Sequence, residues 1–194
     1  MRKAEQKVRT KLSHDVTQIP KIVDWREAYR AFGCKPSEYR SSIEALLRRV
    51  MKGAELPTIN PIVDIYNIIS VSHILPAGGG NLDRIKEDIR LKKAMGGEQF
   101  IMLGSAEPVI IPAGEVVYSD DNDILCRAWN YRESDKTKIT TDTKNVYLML
   151  GGLANTSKKE IEDALSELQK LLLNYCGGTY KSYVLDSKNP TITV

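Results

Sequence analysis

The stretch from Asn60 to Gly80, NPIVDIYNIISVSHILPAGGG, decides the fold. It opens on Asn60, a favoured helix N-cap, and Pro61 takes the first helical position, where its missing N–H does no harm. Isoleucines and valines at 62, 63, 65, 68, 69 and 71 surround the axis, so the segment reads as a deeply buried helix. Leu75-Pro76 ends it, and AGGG reads as backbone free to turn. Inside this apolar run Asn60, Asp64 and Asn67 fall at i, i+4 and i+7, one polar stripe. A buried polar group without a partner costs about 1–3 kcal/mol. Asn60 and Asp64 are close enough to the helix start to tie down loop backbone instead of a ligand. Asn67 lies two turns in, too far from either end to cap, and is the candidate for ligand contact.

Upstream, DWREAYRAFG reads as a helix with Asp24 as N-cap and Gly33 as its stop. SSIEALLRRVMKG follows, opened by the capping box Ser41-x-x-Glu44 and closed at Gly53. Its stripe of Ile43, Leu46, Leu47 and Val50 leaves Arg48 and Arg49 off the apolar face. Residues 1–20 read as a polar helical extension that frays. Downstream the period shortens. IRLKKA, EQFIMLG, PVIIP, GEVVYSD, DILCRAWNYRE, TKIT and NVYLMLGGL are short β-branched or aromatic runs, with SDDND as a hairpin turn. SKKEIEDALSELQKLLLNYCGG is an amphipathic helix capped by Ser157 and stopped by Gly177, and TYKSYVLD reads as a last strand. The order implies an α+β fold, with the N-terminal helices and the buried helix packed on a mostly antiparallel sheet, as one domain over residues 1–194.

At 42% hydrophobic and 27% charged residues the chain can build an ordinary core. No apolar run approaches the ~18–20 residues of a membrane span, and MRKAEQKVRTKL lacks the apolar region of a signal peptide. Cys34, Cys126 and Cys176 are far apart and odd in number, which fits free thiols in a cytoplasmic protein. Only His14 and His73 could assist a metal, so no metal site is expected. Residues 1–52 carry 13 Lys/Arg against 6 Asp/Glu, the remainder 15 against 19. That basic front half suits a polyanionic partner, and equally suits solvated helix faces.

A second polar concentration lies in CRAWNYRESDKTKITTDT, Cys126 to Thr143. Strand alternation would send Cys126, Ala128 and Asn130 one way and Arg127, Trp129 and Tyr131 the other. Asn130, Arg132, Glu133, Thr137, Thr140 and Thr141 then form either a solvated hairpin end or the lining of a polar pocket. The glycines after the buried helix lack the spacing and the strand-to-helix setting of a phosphate loop, but they would let a ligand approach closely.

Taken as an ordered set, INPIVDIYNIISVSHILPAGGGNLDRI resembles the segment that opens the B3/B4 module of the bacterial phenylalanyl-tRNA synthetase β-subunit. The matching elements are Pro61, Val63-Asp64, Asn67, Pro76 and Leu82-Asp83-Arg84-Ile85. DWREAYRAFG, YRSSIEALLRRV, GEVVY and CRAWNYRE look more like free-standing relatives of that module, and the resemblance spans roughly residues 22–175. It implies a B3/B4-like fold and an editing activity that hydrolyses the ester of a mischarged tRNA in trans, with tRNA as partner and no cofactor. Asn67 and Glu133 are then expected at the reacting ester. Asn60, Asp64, Gly78 and Gly79 on one side, and Asn130, Arg132, Thr137 and Thr140 on the other, are expected to bind the substrate. Arg40, Arg48 and Arg49 are expected to hold RNA phosphates. Two departures stand out: Gly78 falls where editing synthetases carry a histidine, and Met149 where they carry the pocket glutamate. These put activity on mischarged tyrosine in doubt, while the polar pocket suggests a polar or non-standard amino acid, such as the arginine analogue canavanine implied for some free-standing relatives. They also keep open a module that binds RNA or a small molecule without catalysis.

Overall fold

The computed structural model describes residues 1–12 and 15–193, so His14, considered above as a metal ligand, lies outside the described residues. Five helices come from the described residues: α1 (Arg2–Lys11), α2 (Pro20–Ala31), α3 (Ser42–Met51), α4 (Pro61–His73) and α5 (Lys158–Tyr175). Between α4 and α5 run β1 (Ala77–Asn81), β2 (Arg90–Lys93), β3 (Gln99–Ile101) and β4 (Pro108–Ile110), then β5 (Val116–Ser119), β6 (Ile124–Arg127), β7 (Arg132–Glu133) and β8 (Val146–Leu150). All strand pairs are antiparallel: β1 with β8, β3 with β4, and a four-stranded sheet in the order β2-β5-β6-β7. The fold is α+β. No helix of the described residues is long and apolar enough to cross a membrane.

The capping chemistry places α4 where its sequence predicts: the Asn60 side chain accepts from Val63 N at 3.0 Å, and Pro61 starts the helix. Its apolar girdle is used on both sides. Val71 joins Val8, Ile22, Trp25, Ile43 and Leu47 in the core of the N-terminal helices. Ile65 and Ile69 meet Ala164 and Leu168 of α5. His73, on the same helix, is tied to Glu167 of α5 at 2.8 Å. Phe100, Ile111, Val117 and Ile124 fill a third cluster among the strands.

Several local expectations are corrected. The helix α2 begins at Pro20 after Ile19, four residues before the expected cap. Asp24 instead accepts from the Asn155 backbone at 2.6 Å and its side chain at 2.7 Å. Only half of the capping box at Ser41 forms: Ser41 accepts from Glu44 N, but the buried Glu44 carboxylate is taken by Arg26 and Arg48. The expected fraying of residues 1–20 is not what α1 shows. Glu5 is 1% exposed and accepts from Leu56 N at 2.8 Å, and Arg9 donates to Val50 O at 3.0 Å. Residues 137–140 and 179–186 form no strand.

Two corrections matter for function. Residues 77–81 are a strand, not a free turn, and glycine is needed there for close approach. The expected strand from Cys126 to Tyr131 breaks after Arg127, where Ala128 (φ 43°) and Trp129 (φ 61°) both take left-handed backbone. Such conformations are unfavourable for bulky side chains, at about 1–3 kcal/mol each. They are held by a bond from Trp129 N to Val116 O and by Glu115, whose carboxylate accepts from Ala128 N at 2.9 Å. The alternation predicted through this segment is lost, and Asn130 is turned back toward α2 and α3.

Candidate functional site

That turn completes a cleft. One wall is the two-stranded β1–β8 ribbon, where Gly78 lies opposite Met149 and Gly79 opposite Leu148. The facing wall is Cys126, Trp129 and Glu133, and Trp25 of α2 and Ser42 of α3 close the end. Both tryptophans of the chain meet here edge to face, ring centres 5.0 Å apart. About 40 Å³ is open to a water-sized group, too little for a nucleotide.

Beside Tyr118 and Tyr147, three polar residues of its lining stand out. The Asn130 Oδ1 accepts from Tyr29 OH and from Ser42 N, each at 3.2 Å, which fixes the carboxamide. Its Nδ2 is buried with no partner. The Ser42 hydroxyl is likewise buried and unpartnered. Leaving such donors unpaired is costly, and they are what a ligand would satisfy. The third is Glu133 of β7. A Cβ built on Gly78 would lie 2.3 Å from its Oε1, so the glycine vacates the space that this carboxyl fills. Burial raises the Glu133 pKa to about 8, opposed by the Gly79 N–H. At neutral pH the group is therefore a neutral acid that can donate a proton or a hydrogen bond. The Cys126 thiol also lines the cleft, but burial holds its pKa well up, so it offers no thiolate.

The structure thus divides the predicted site residues. Gly78, Gly79, Asn130 and Glu133 line the cleft together. Asn60 caps α4 and donates to Ile139 O at 3.2 Å, and Asp64 accepts from Ile59 N at 2.9 Å, so both tie down loop backbone. Asn67 does not line the cleft with Asn130. It is 9% exposed on α4, and its carboxamide makes no hydrogen bond among the described residues. Arg132 is exposed and stacks over Tyr131, on the outer side of its short strand. Thr137 is buried, its carbonyl taken by Asn81 N, and Thr140 is exposed and bonded to Thr143. Strand alternation accounts for the split between Arg132 and Glu133.

The expected RNA contacts are also partly committed. Arg48 is bound to Glu44 at 2.9 Å, and Arg49 donates to Glu55 O at 2.7 Å. The Arg40 Nε is buried and unpartnered. Sequence reasoning missed Ser42, Trp25 and Trp129 as lining. Ser42 was hidden behind the cap at Ser41. The tryptophans carried a signal in being the chain's only two.

Comparison with known proteins places this geometry in context. The B3/4 domain model matches residues 24–177. The phenylalanine–tRNA ligase beta subunit of Ruegeria pomeroyi is 26% identical over 167 residues, covering 74% of this chain and 21% of that protein. The chain therefore spans about a fifth of the length of that relative. Among solved structures, an N-terminal fragment of the phenylalanyl-tRNA synthetase beta-subunit from Pyrococcus horikoshii is similar, at 20% identity and a TM-score of 0.48. That match covers 57% of this chain and 38% of the other.

Proposed function

This chain belongs to the B3/4 domain family, and on that premise we propose that its cleft hydrolyses the ester of an aminoacyl-tRNA carrying a non-cognate or non-standard amino acid. One observation carries the reading: Ser42, Asn130 and Glu133 line one cleft, and Ser42 Oγ and Asn130 Nδ2 are buried without any partner. A donor-rich pocket suits an acyl ester, whose carbonyl oxygen becomes negative as water adds. Asn130 and Ser42 would donate to that oxygen. The neutral Glu133 would give its proton to the departing ribose oxygen as the acyl C–O bond breaks, and regain one from the attacking water. An ester is already activated, so positioning and fixed dipoles supply much of the acceleration. Gly78 opposite apolar Met149 favours a second reading, a module that binds the same end of the RNA without reacting.

The test is to incubate the protein with bulk charged tRNA and follow release of each amino acid. Selective release supports hydrolysis, and retention of every amino acid supports the binding module.

The protonated state of Glu133 gives a sharper expectation. Turnover corrected for spontaneous hydrolysis should be flat below pH 8 and fall as pH rises through about 8, where the acid ionises. Glu133→Gln keeps a donor but cannot transfer a proton, so it should lose about 10²–10⁴-fold and lose the alkaline limb as well. A limb at the same pH in Glu133→Gln would remove this residue from the reaction. Stability has a matching sign: with its folded pKa raised, Glu133 favours folding most at low pH, and that contribution declines between about 4.5 and about 8.

A further inference from the structure

A second concavity lies on the other flank of α2. Arg26 and Arg30, one turn apart on the helix, line it with Lys35 and Ser37 of the following loop and with Gly33. It is open and roomy, about 410 Å³ against about 40 Å³ for the cleft. We propose that this groove binds the phosphodiester backbone of RNA, behind the ester-bearing end held in the cleft. The proposal rests on the ester-hydrolysis reading for its orientation, but not for its test.

Three features argue for phosphates. First, the lining has three cations and no acid. Glu44 engages Arg26 at 2.8 Å but also serves Arg48, so one carboxylate faces two guanidiniums. Lys35 has only the exposed Glu38, at 3.6 Å, a weak surface pair. Arg30 is exposed and makes no ion pair or hydrogen bond among the described residues. Second, Glu44 pre-positions Arg26, and planar guanidiniums fork onto phosphate oxygens. Third, no aromatic or large apolar side chain lines the groove, so neither a base nor an apolar peptide anchor has a seat. Recognition there would be of a backbone, independent of sequence. The helix links the two sites: Trp25 faces the cleft, and Arg26 is the next residue round the same turn.

The experiment measures affinity of the full chain for uncharged tRNA between about 50 and 200 mM salt. The probes are wild type and the double variant Arg30→Gln, Lys35→Gln. Both positions are exposed, and equal thermal unfolding midpoints will show that the fold is kept. Loss of two phosphate contacts should flatten the log–log salt slope by about 1.4–1.8 and weaken binding at low salt by at least about tenfold. Unchanged affinity and slope, or no RNA binding by wild type, overturns the groove. So does binding of polyglutamate but not RNA. Release from an aminoacyl-adenosine, which has no phosphate to reach the groove, reports on the cleft alone. Release with an unaltered RNA slope sinks the groove and spares the cleft. A flattened slope with no release from any charged RNA does the reverse.

Discussion

Replacing Glu115 by Ala is expected to destabilise the protein by about 3–5 kcal/mol, because it strands a buried cation. The Glu115 side chain is 1% exposed, and Arg127 meets it with two bonds, Nε at 3.1 Å and Nη2 at 2.8 Å. Arg127 is itself buried, with the Tyr39 ring 5.3 Å away. The same carboxylate accepts from Ala128 N, at the first left-handed residue of the cleft turn. Its loss should therefore loosen Trp129 as well as the core. A urea melt will give the stability change, and near-ultraviolet circular dichroism will report the tryptophan pair. Removing both partners, as Glu115→Leu with Arg127→Met, should recover much of the loss, since a buried pair gains little over apolar packing. A single-variant loss below about 1 kcal/mol would mean that Arg127 finds water or another acceptor.

The second large effect is expected at Gly79. An added Cβ would stand 2.1 Å from the Tyr147 carbonyl and 3.1 Å from the Leu148 Cα, both backbone atoms of the paired strand. Backbone cannot swing aside as a side chain does, so Gly79→Ala must pry β1 from β8. The expected cost is about 3 kcal/mol or more, at the upper end for overpacking. Gly78→Ala makes the contrast. Its Cβ meets only the flexible end of Glu133, at 2.3 Å, so the fold should survive while the acid is displaced. Chemical denaturation and ester turnover, measured on both variants, should rank them in opposite orders. Equal destabilisation by the two would show that the ribbon, not the carboxyl, sets the space at position 78.

Both variants bear on residues whose importance is only half visible in a sequence. Gly78 and Gly79 stand out in the sequence as glycines beside an apolar helix, but their composition suggests a free turn. A Gly-rich strand has almost no β-propensity to announce it. What makes it a strand is the facing VYLML, some 70 residues on. Glu133 and Asn130 were legible as part of a polar concentration, but their separation from Arg132, Thr137 and Thr140 was not. One left-handed turn at Ala128–Trp129 re-aims the segment, and neither residue type advertises that conformation.

What the sequence by itself determined is what neighbours along the chain decide. Helix α4 with its Asn60 cap, helix α5 with its Ser157 capping box, and the hairpin around SDDND rest on contacts within about eight residues. The α+β class followed from their order. The resemblance to the B3/B4 module, an ordered pattern over most of the chain, is borne out by the family match over residues 24–177. Only the tertiary structure decided which polar atoms are left unpartnered, and where. Tyr29 and Ser42, 101 and 88 residues away, hold the Asn130 amide oxygen, and no acceptor packs against its nitrogen. Asn67 is kept from the cleft although its spacing on α4 is as polar-striped as predicted. Hydrogen-bond satisfaction is settled by whatever packs against a group, and packing partners are chosen by the whole fold rather than by local pattern.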